Sequence, residues 1–284
     1  MSKLGLVVEG GGMKCAYGAA ILDKLIDYDI KPDYVIGVSA GSANAASFLA
    51  GQRGRNLRFY ERHMHDISYF GPVSLAKTGS LFNLDLIYST LSNSDGRDPL
   101  DFQAVLDNPA QFKVVATDGA TGKPHYFTKD DMDFDDYTCI KASCALPVVC
   151  KPIQINGRYY FDGGVSDSIP VQKALDDGCD KLIVVLSKPR TYVKKPEKHR
   201  AIYSKVLRKF PKIIEDLDNR HISYAKCFNQ TFELEKQGTA IVFAMSRELQ
   251  MSTYSMDSFN NLKLYSMGLQ DFEMQKDTLL EFIK

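Results

Sequence analysis

The chain has 284 residues, with 35 lysines and arginines against 35 aspartates and glutamates, 44% hydrophobic residues and no tryptophan. Its length allows a sizeable buried core, and its ordinary apolar and charged content excludes a disordered, collagen-like or coiled-coil protein. A formal net charge of zero gives no overall attraction to nucleic acid. Six cysteines without zinc-like spacing favour reduced thiols and no metal.

The N-terminal apolar stretch is short, because Glu9 interrupts it after a few residues. It is therefore too short for a signal peptide. No window reaches the roughly 18–20 apolar residues that a membrane span needs. We expect a cytoplasmic protein that meets membranes, if at all, at their surface.

The first 50 residues alternate short apolar strands with helical patterns. Strands predicted at 4–8 and 33–38 each precede a turn of small residues, and helical patterns follow at 16–26 and 43–50. This alternation is typical of a parallel sheet with helices on its faces. Right-handed crossovers then bring both turns to the same edge of the sheet.

The remainder of the chain continues the same kind of fold. Further strands are predicted at 112–117, 153–155, 158–161, 181–186 and 239–243. Asn156-Gly157 is a strong hairpin signal between two of them. Residues 53–110 look like an irregular excursion over the sheet and are the candidate lid, and 260–284 read as helix. Without an internal repeat or long linker, one domain over 1–284 is predicted.

Gly37-Val38-Ser39-Ala40-Gly41 follows the pattern G-x-S-x-G. A nucleophilic serine on a tight strand-to-helix turn needs small neighbours, because the backbone is crowded there. The helix that follows directs its free N–H groups to the same place. The five-residue pattern also occurs by chance, but its position between a predicted strand and helix favours a nucleophile.

Glu9-Gly10-Gly11-Gly12-Met13-Lys14 also lies between a predicted strand and a helix. Consecutive glycines let the backbone approach a ligand and present N–H groups to an anion. Cys15 breaks the dinucleotide fingerprint, and no Walker A pattern occurs. Two interpretations of this loop remain: an oxyanion hole, or a tight turn that binds nothing. Lys14 either strengthens an anion site or is solvated.

Asp162-Gly163-Gly164 follows the predicted hairpin. An acidic residue before two glycines is ordinarily a turn. Beside a serine that needs a base, Asp162 becomes a candidate for that base.

Together and in this order, these motifs resemble the patatin-like phospholipases, of a bacterial type. The resemblance includes Ala142-Ser143-Cys144-Ala145-Leu146-Pro147 and Ile169-Pro170. It covers core motifs at 4–186 and leaves a basic and helical C-terminal part at 187–284. It implies an α/β fold of three layers, α/β/α, with a mainly parallel central sheet.

The resemblance implies a catalytic serine–aspartate dyad and no cofactor. Ser39 would be the nucleophile and Asp162 its base, between the elbow glycines Gly37 and Gly41. The oxyanion would be held by the backbone amides of Gly10, Gly11 and Gly12, with help from Lys14.

The implied activity is that of a serine acyl-ester hydrolase acting on phospholipids or lysophospholipids. An acyltransferase that uses the same acyl-enzyme is one alternative, and a non-catalytic lipid-binding or regulatory protein is another. Cys15 stands where the family usually has glycine. As an alternative nucleophile, Cys15 has no obvious base. His199 and His221 follow Ser39 and Asp162 in the chain order of a conventional triad, but neither follows a predicted strand.

Residues 188–212 carry ten basic residues and one acidic residue, Glu197, a local excess of nine positive charges. The basic residues are Lys188, Arg190, Lys194, Lys195, Lys198, Arg200, Lys205, Arg208, Lys209 and Lys212. The second half of this segment predicts a basic amphipathic helix. We expect peripheral contact with the anionic inner membrane surface; a solvated face, or neutralisation by the acidic cluster at 130–136, are the alternatives.

Overall fold

The computed structural model describes residues 2–284, which form an eight-stranded mixed sheet with helices on both faces. The strands are β1 (Leu4–Val8), β2 (Tyr34–Val38), β3 (Gln111–Asp118), β4 (Pro124–Phe127), β5 (Ile153–Ile155), β6 (Arg158–Asp162), β7 (Lys181–Pro189) and β8 (Ala240–Met245). Their order is β5-β6-β3-β2-β1-β7-β8, with β4 paired to β3. Strands β3, β2, β1, β7 and β8, which are neighbours in that order, pair in parallel. Strands β4 and β6 pair antiparallel with β3, and β5 pairs antiparallel with β6.

Helices cover the two faces of this sheet. They are α1 (Ala16–Asp27), α2 (Ala40–Leu49), α3 (Arg55–Glu61), α4 (Pro72–Thr78), α5 (Phe102–Asp107), α6 (Thr138–Ser143), α7 (Val171–Asp176), α8 (Arg200–Val206), α9 (Pro211–Lys236) and α10 (Ser258–Phe282). Leu6 and Val8 of β1 pack in the core with α1, α2 and α10, while Val7 packs with α7 and α9. Because strand side chains alternate between faces, a strand covered on both sides is apolar throughout.

The predicted α/β/α architecture and mainly parallel sheet are confirmed. Each predicted strand lies within a few residues of an observed one, and the Asn156-Gly157 hairpin joins β5 and β6. The second helix begins at Ala40 rather than at 43, because Ser39 turns the chain directly into it. The excursion at 53–110 contains α3, α4 and α5, so it is more helical than expected.

The basic amphipathic helix predicted for the second half of residues 188–212 is short in the structure. Helix α8 has seven residues, and the chain leaves it before Pro211, which starts α9. Proline disfavours helical backbone in the residue that precedes it, so the interruption before Pro211 has a local cause. Tyr203 and Leu207 are buried beside Phe161, so part of the expected apolar face belongs to the core.

We propose that the C-terminal part folds with the core as one unit. Strand β8 extends the sheet beside β7, and α10 lies along α1. The hydroxyl of Tyr265 on α10 donates to the buried carboxylate of Asp23 on α1, at 2.7 Å. No helix within residues 2–284 is long and apolar enough to cross a membrane.

Gly268 on α10 packs tightly against α1, and its replacement tests this docking. A Cβ atom there would lie 2.5 Å from the carbonyl oxygen of Tyr17 and 2.8 Å from the Cβ of Ala20. Alanine is ordinarily the better helix former by about 1 kcal/mol. We nevertheless expect Gly268→Ala to lower the free energy of unfolding by about 1–3 kcal/mol, because the helices must separate.

Urea denaturation measures this change, with Ser266→Ala on the exposed side of α10 as the control. One folding unit predicts a single transition for the whole chain. A variant as stable as the wild type, or an early transition confined to the C-terminal part, would contradict the proposal.

Candidate active site

Parallel pairing of β1 with β2 and β7 gathers three loops at one edge of the sheet. Val8 pairs with both Gly37 and Val185, so the chain leaves the three strands side by side. In open parallel sheets, ligands bind outside these carboxyl ends. Strand β6 adds Asp162, which pairs with Ala116 of β3. The motifs that the sequence singled out therefore lie around one site.

Ser39 occupies a strained turn between β2 and α2. Its φ of 54° and ψ of −135° belong to a backbone region that residues with side chains rarely adopt. A Cβ atom at Gly37 would lie 2.5 Å from the Cα of Ser42, and one at Gly41 would lie 2.5 Å from the carbonyl oxygen of Glu9. Both elbow positions therefore require glycine, and the turn projects the serine hydroxyl into the site.

The hydroxyl of Ser39 donates to Oδ2 of Asp162 at 2.6 Å. Both residues are buried, with 7% of Ser39 and 1% of Asp162 exposed. The other carboxylate oxygen accepts the amide of Gly164 at 2.8 Å. Burial raises the pKa of Asp162, against the opposing effects of the Ser39 hydroxyl, the positive charge of Arg220 and the Gly164 amide. The carboxylate is therefore more basic than that of an exposed aspartate.

Ser143, at the end of α6, supports this pair through the backbone. Its hydroxyl accepts the amide of Ser39 at 2.8 Å and donates to the carbonyl of Val115. The amide of Asp162 donates to the carbonyl of Ala145 at 2.9 Å. In the sequence, the motif at 142–147 only supported the family resemblance. In the structure, it helps to hold both Ser39 and Asp162 in place.

The glycine loop passes directly beside Ser39. A Cβ atom at Gly10 would lie 2.8 Å from the Cβ of Ser39, and Gly12 has a positive φ of 55°. Among the described residues, no acceptor bonds the amides of Gly10, Gly11 or Gly12, whereas the next amide, of Met13, is bonded. Free amides next to a serine hydroxyl can hold a developing negative charge.

Glu9 anchors this loop, a role that sequence reasoning missed. Its buried carboxylate accepts the backbone amide of Ser187 at 2.7 Å and the hydroxyl of Tyr224 at 2.8 Å. These contacts tie the end of β1 to β7 and α9. An acidic residue before the glycines was visible in the sequence, but its partners lie about 180 to 215 positions away.

Cys15 and Lys14, which the sequence also singled out, are less directly involved in the candidate site. Cys15 is buried, its thiol donates to the carbonyl of Glu9, and burial raises its pKa, so the thiol stays protonated. Lys14 is not among the described residues that line the site cavities, whereas Lys188 is. Burial and the charge of Lys188 lower the pKa of Lys14.

Two cavities of opposite character meet at Ser39. The first, of about 80 Å³, is lined mainly by apolar side chains, including Phe59, Phe82 and Ile87. Half of its lining residues come from the excursion at 53–110, which the sequence predicted only as a cover. The second, of about 240 Å³, contains Asp162 and the glycine loop and is polar. Its lining also includes Lys188, Tyr192, Lys194, Glu197, Arg220, Tyr224 and Tyr254.

The histidines of a conventional triad lie elsewhere. His199 is exposed at the start of α8, and His221 lies half-buried on α9. Neither makes a hydrogen bond with Ser39 or Asp162 in the described part of the chain, and no histidine there lines either cavity. The serine contacts the aspartate directly.

Sequence comparison divides the chain into two parts. Residues 6–175 match the family described as patatin-like phospholipase, and residues 210–284 match DUF6363, a domain of unknown function. Ser39 and Asp162 lie in the first match, whereas Arg220, Tyr224 and Tyr254 of the polar cavity lie in the second.

Similar proteins come from bacteria and fungi. "Uncharacterized protein YjjU" of Escherichia coli is 30% identical over 193 residues, which cover 66% of this chain and 52% of that protein. "Lysophospholipase NTE1" of Cryptococcus neoformans is 25% identical over 194 residues, 64% of this chain and 11% of that protein. This chain thus aligns with about half of the first relative and a small part of the second.

VipD from Legionella pneumophila shares the fold, with a TM-score of 0.51 at 12% identity over 98% of this chain and 67% of that one. The family match spans more than half of the chain and includes strands β2 to β6, the serine elbow and the aspartate described above. The chain belongs to the patatin-like phospholipase family.

Proposed function

We propose that this protein is a serine acyl-ester hydrolase that acts on phospholipids or lysophospholipids. The observation that carries the proposal is the 2.6 Å hydrogen bond between Ser39 and the buried Asp162, at the junction of an apolar and a polar cavity. The family match and the name of the fungal relative, a lysophospholipase, support the same class of substrate.

In this mechanism Asp162 accepts the proton of the Ser39 hydroxyl as the serine oxygen attacks the ester carbonyl carbon. The amides of Gly10, Gly11 and Gly12 bind the resulting oxyanion. Collapse of the intermediate breaks the ester bond, and Asp162 returns the proton to the departing alcohol. Water then attacks the acyl-enzyme by the same proton route and releases the fatty acid.

The two cavities suggest how the substrate lies. The apolar cavity suits a single acyl chain, since burial of its methylene groups contributes about 0.8 kcal/mol each. The polar cavity then receives the leaving alcohol with its headgroup. We assign the cationic side of the site to Lys188 rather than Lys14, because Lys188 lines the polar cavity at the end of β7.

We further propose that the protein binds anionic membranes peripherally. Five basic residues form an exposed group without an ion pair in the described structure, here called the basic surface: Lys195, Lys198, Lys205, Arg208 and Lys209. Val193, Ile202 and Val206 are exposed beside them. The same segment lines the polar cavity through Lys194, so the basic surface adjoins the site entrance.

The acidic cluster does not neutralise this segment through ion pairs. Within residues 2–284, the carboxylates paired with it are Glu197, Glu215, Asp218 and Glu235. Asp135 instead accepts from Ser94, and Asp131 accepts from Thr128.

Replacement of each member of the pair tests the dyad. We expect Asp162→Asn to lower p-nitrophenyl ester turnover about 100- to 10,000-fold, because the amide cannot accept the serine proton. Ser39→Ala should abolish turnover and labelling by a fluorophosphonate probe. Steady-state kinetics and mass spectrometry of the labelled peptide measure both effects.

His199→Ala and His221→Ala are the matched controls and should keep wild-type turnover. Loss of activity in either folded variant would favour a conventional triad. A wild-type protein that the probe does not label at Ser39 would favour the non-catalytic alternative. Acyl transfer to an added alcohol in preference to water would favour the acyltransferase.

The pH dependence should report the basicity of Asp162. The base acts when it is deprotonated, so kcat/KM falls as the pH falls through its raised pKa. The positive charge of Arg220 lowers that pKa, so Arg220→Gln should move the acid limb to higher pH. Arg220→Lys keeps the charge and should leave the limb closer to the wild type. An acid limb that does not move in Arg220→Gln would contradict Asp162 as the titrating base.

Liposome sedimentation tests the basic surface. Each basic residue near an anionic bilayer contributes up to about 1 kcal/mol, so Lys205→Gln/Arg208→Gln/Lys209→Gln should weaken binding to phosphatidylglycerol vesicles at least about tenfold. Binding should weaken with salt and be absent on phosphatidylcholine. Lys226→Gln, an exposed charge on α9, is the control. Equal binding to neutral and anionic vesicles would disprove the electrostatic contact.

A further inference from the structure

Lys188 is a half-buried cation without an anionic partner. Its ammonium lies 3.4 Å from the hydroxyl of Ser187 and 5.5 Å from the ring centroid of Tyr192. No carboxylate within the described residues forms an ion pair with it. A charge that loses water without gaining a counter-charge is costly, so a site that holds one is suited to an anionic ligand.

This ammonium is also close to the reacting atoms. The Ser187 hydroxyl that it contacts donates to the carbonyl of Gly10. Gly10 in turn lies against Ser39. Lys188 is thus separated from the candidate nucleophile by one side chain and one glycine.

Arg220 places a second cation on the same wall. Its Nε donates to the carbonyl of Gly164 at 2.7 Å, and its Nη1 contacts Glu197 at 3.3 Å. Its Nη2 has no acceptor among the described residues and lies 3.1 Å from the Cβ position of Gly164, two residues after Asp162. The guanidinium is therefore held in place with one donor group still free.

Three cations and three carboxylates line this cavity, so the feature that sets Lys188 apart is its lack of an ion pair among the described residues rather than a net charge of the lining. Glu197 is shared between Arg220 and Lys194, which lies 2.8 Å from it. Glu9 also lines the cavity, but both of its oxygens already accept hydrogen bonds from the protein. Of the three cations, Arg220 and Lys194 share Glu197 as their ion-pair partner, and Lys188 is left without one.

We propose that Lys188 and the free donor of Arg220 bind the phosphate of the substrate's leaving group. The inference rests on the proposed hydrolase function and narrows its substrate to one-chain glycerolipids that carry a phosphodiester. The acyl chain enters the apolar cavity, the ester carbonyl lies at Ser39, and the glycerophosphate enters the polar cavity. Both phosphate ligands lie outside the patatin match, so the C-terminal part supplies the headgroup specificity.

Binding of an ether lipid tests this inference without catalysis, because an ether has no bond that the enzyme can hydrolyse. Isothermal calorimetry compares the decyl ether of glycerophosphoglycerol with the decyl ether of glycerol, both as monomers. The wild type should bind the phosphate-bearing ether more tightly. Lys188→Gln should reduce that preference about 10- to 100-fold, the usual value of a hydrogen bond to a charged group.

Lys226→Gln is the matched control, since it removes a lysine from the exposed side of α9 and should keep the full preference. Equal affinity of the wild type for both ethers, or an equal loss for both ethers in Lys188→Gln, would overturn the phosphate site. A retained preference in a protein that does not hydrolyse the corresponding esters would support the phosphate site and contradict the hydrolase function.

Discussion

The hydrogen bond between the Ser39 hydroxyl and the buried Asp162 carboxylate is the contact on which the site depends. A buried carboxylate requires donors, and here they are the serine hydroxyl and the Gly164 amide. To bring the serine within reach, the chain accepts a strained backbone at Ser39, which close packing at Gly37 and Gly41 makes possible. The rest of the local structure stabilises that strain.

The stabilising contacts come from distant parts of the chain. Ser143 fixes the Ser39 amide, and Glu9 ties the glycine loop to Ser187 and Tyr224. Because these groups are buried, each one that lost its partner would incur the full cost of its desolvation. The candidate site is therefore a property of the whole sheet edge, including helix α9 from the C-terminal part.

The arrangement also separates two environments across one serine. Side chains of the excursion at 53–110 form an apolar wall on one side, and cationic side chains from β7 and α9 form a polar wall on the other. An amphiphile with one chain and a charged headgroup matches this asymmetry, because each half of such a molecule finds a surface of its own polarity. The two family matches thus contribute to one cavity.

The sequence by itself determined the sheet, the serine elbow and the glycine loop, because hydrophobic periodicity and the steric demands of tight turns are local. It also singled out Asp162, although only in company with the serine motif. The tertiary structure decided the partners of Glu9, the place of Lys188 rather than Lys14 in the lining of the polar cavity, and the position of Arg220 near Asp162. It also divided the apolar residues around α8 between core and surface. These contacts join residues far apart in the chain, and no local pattern carries information about them.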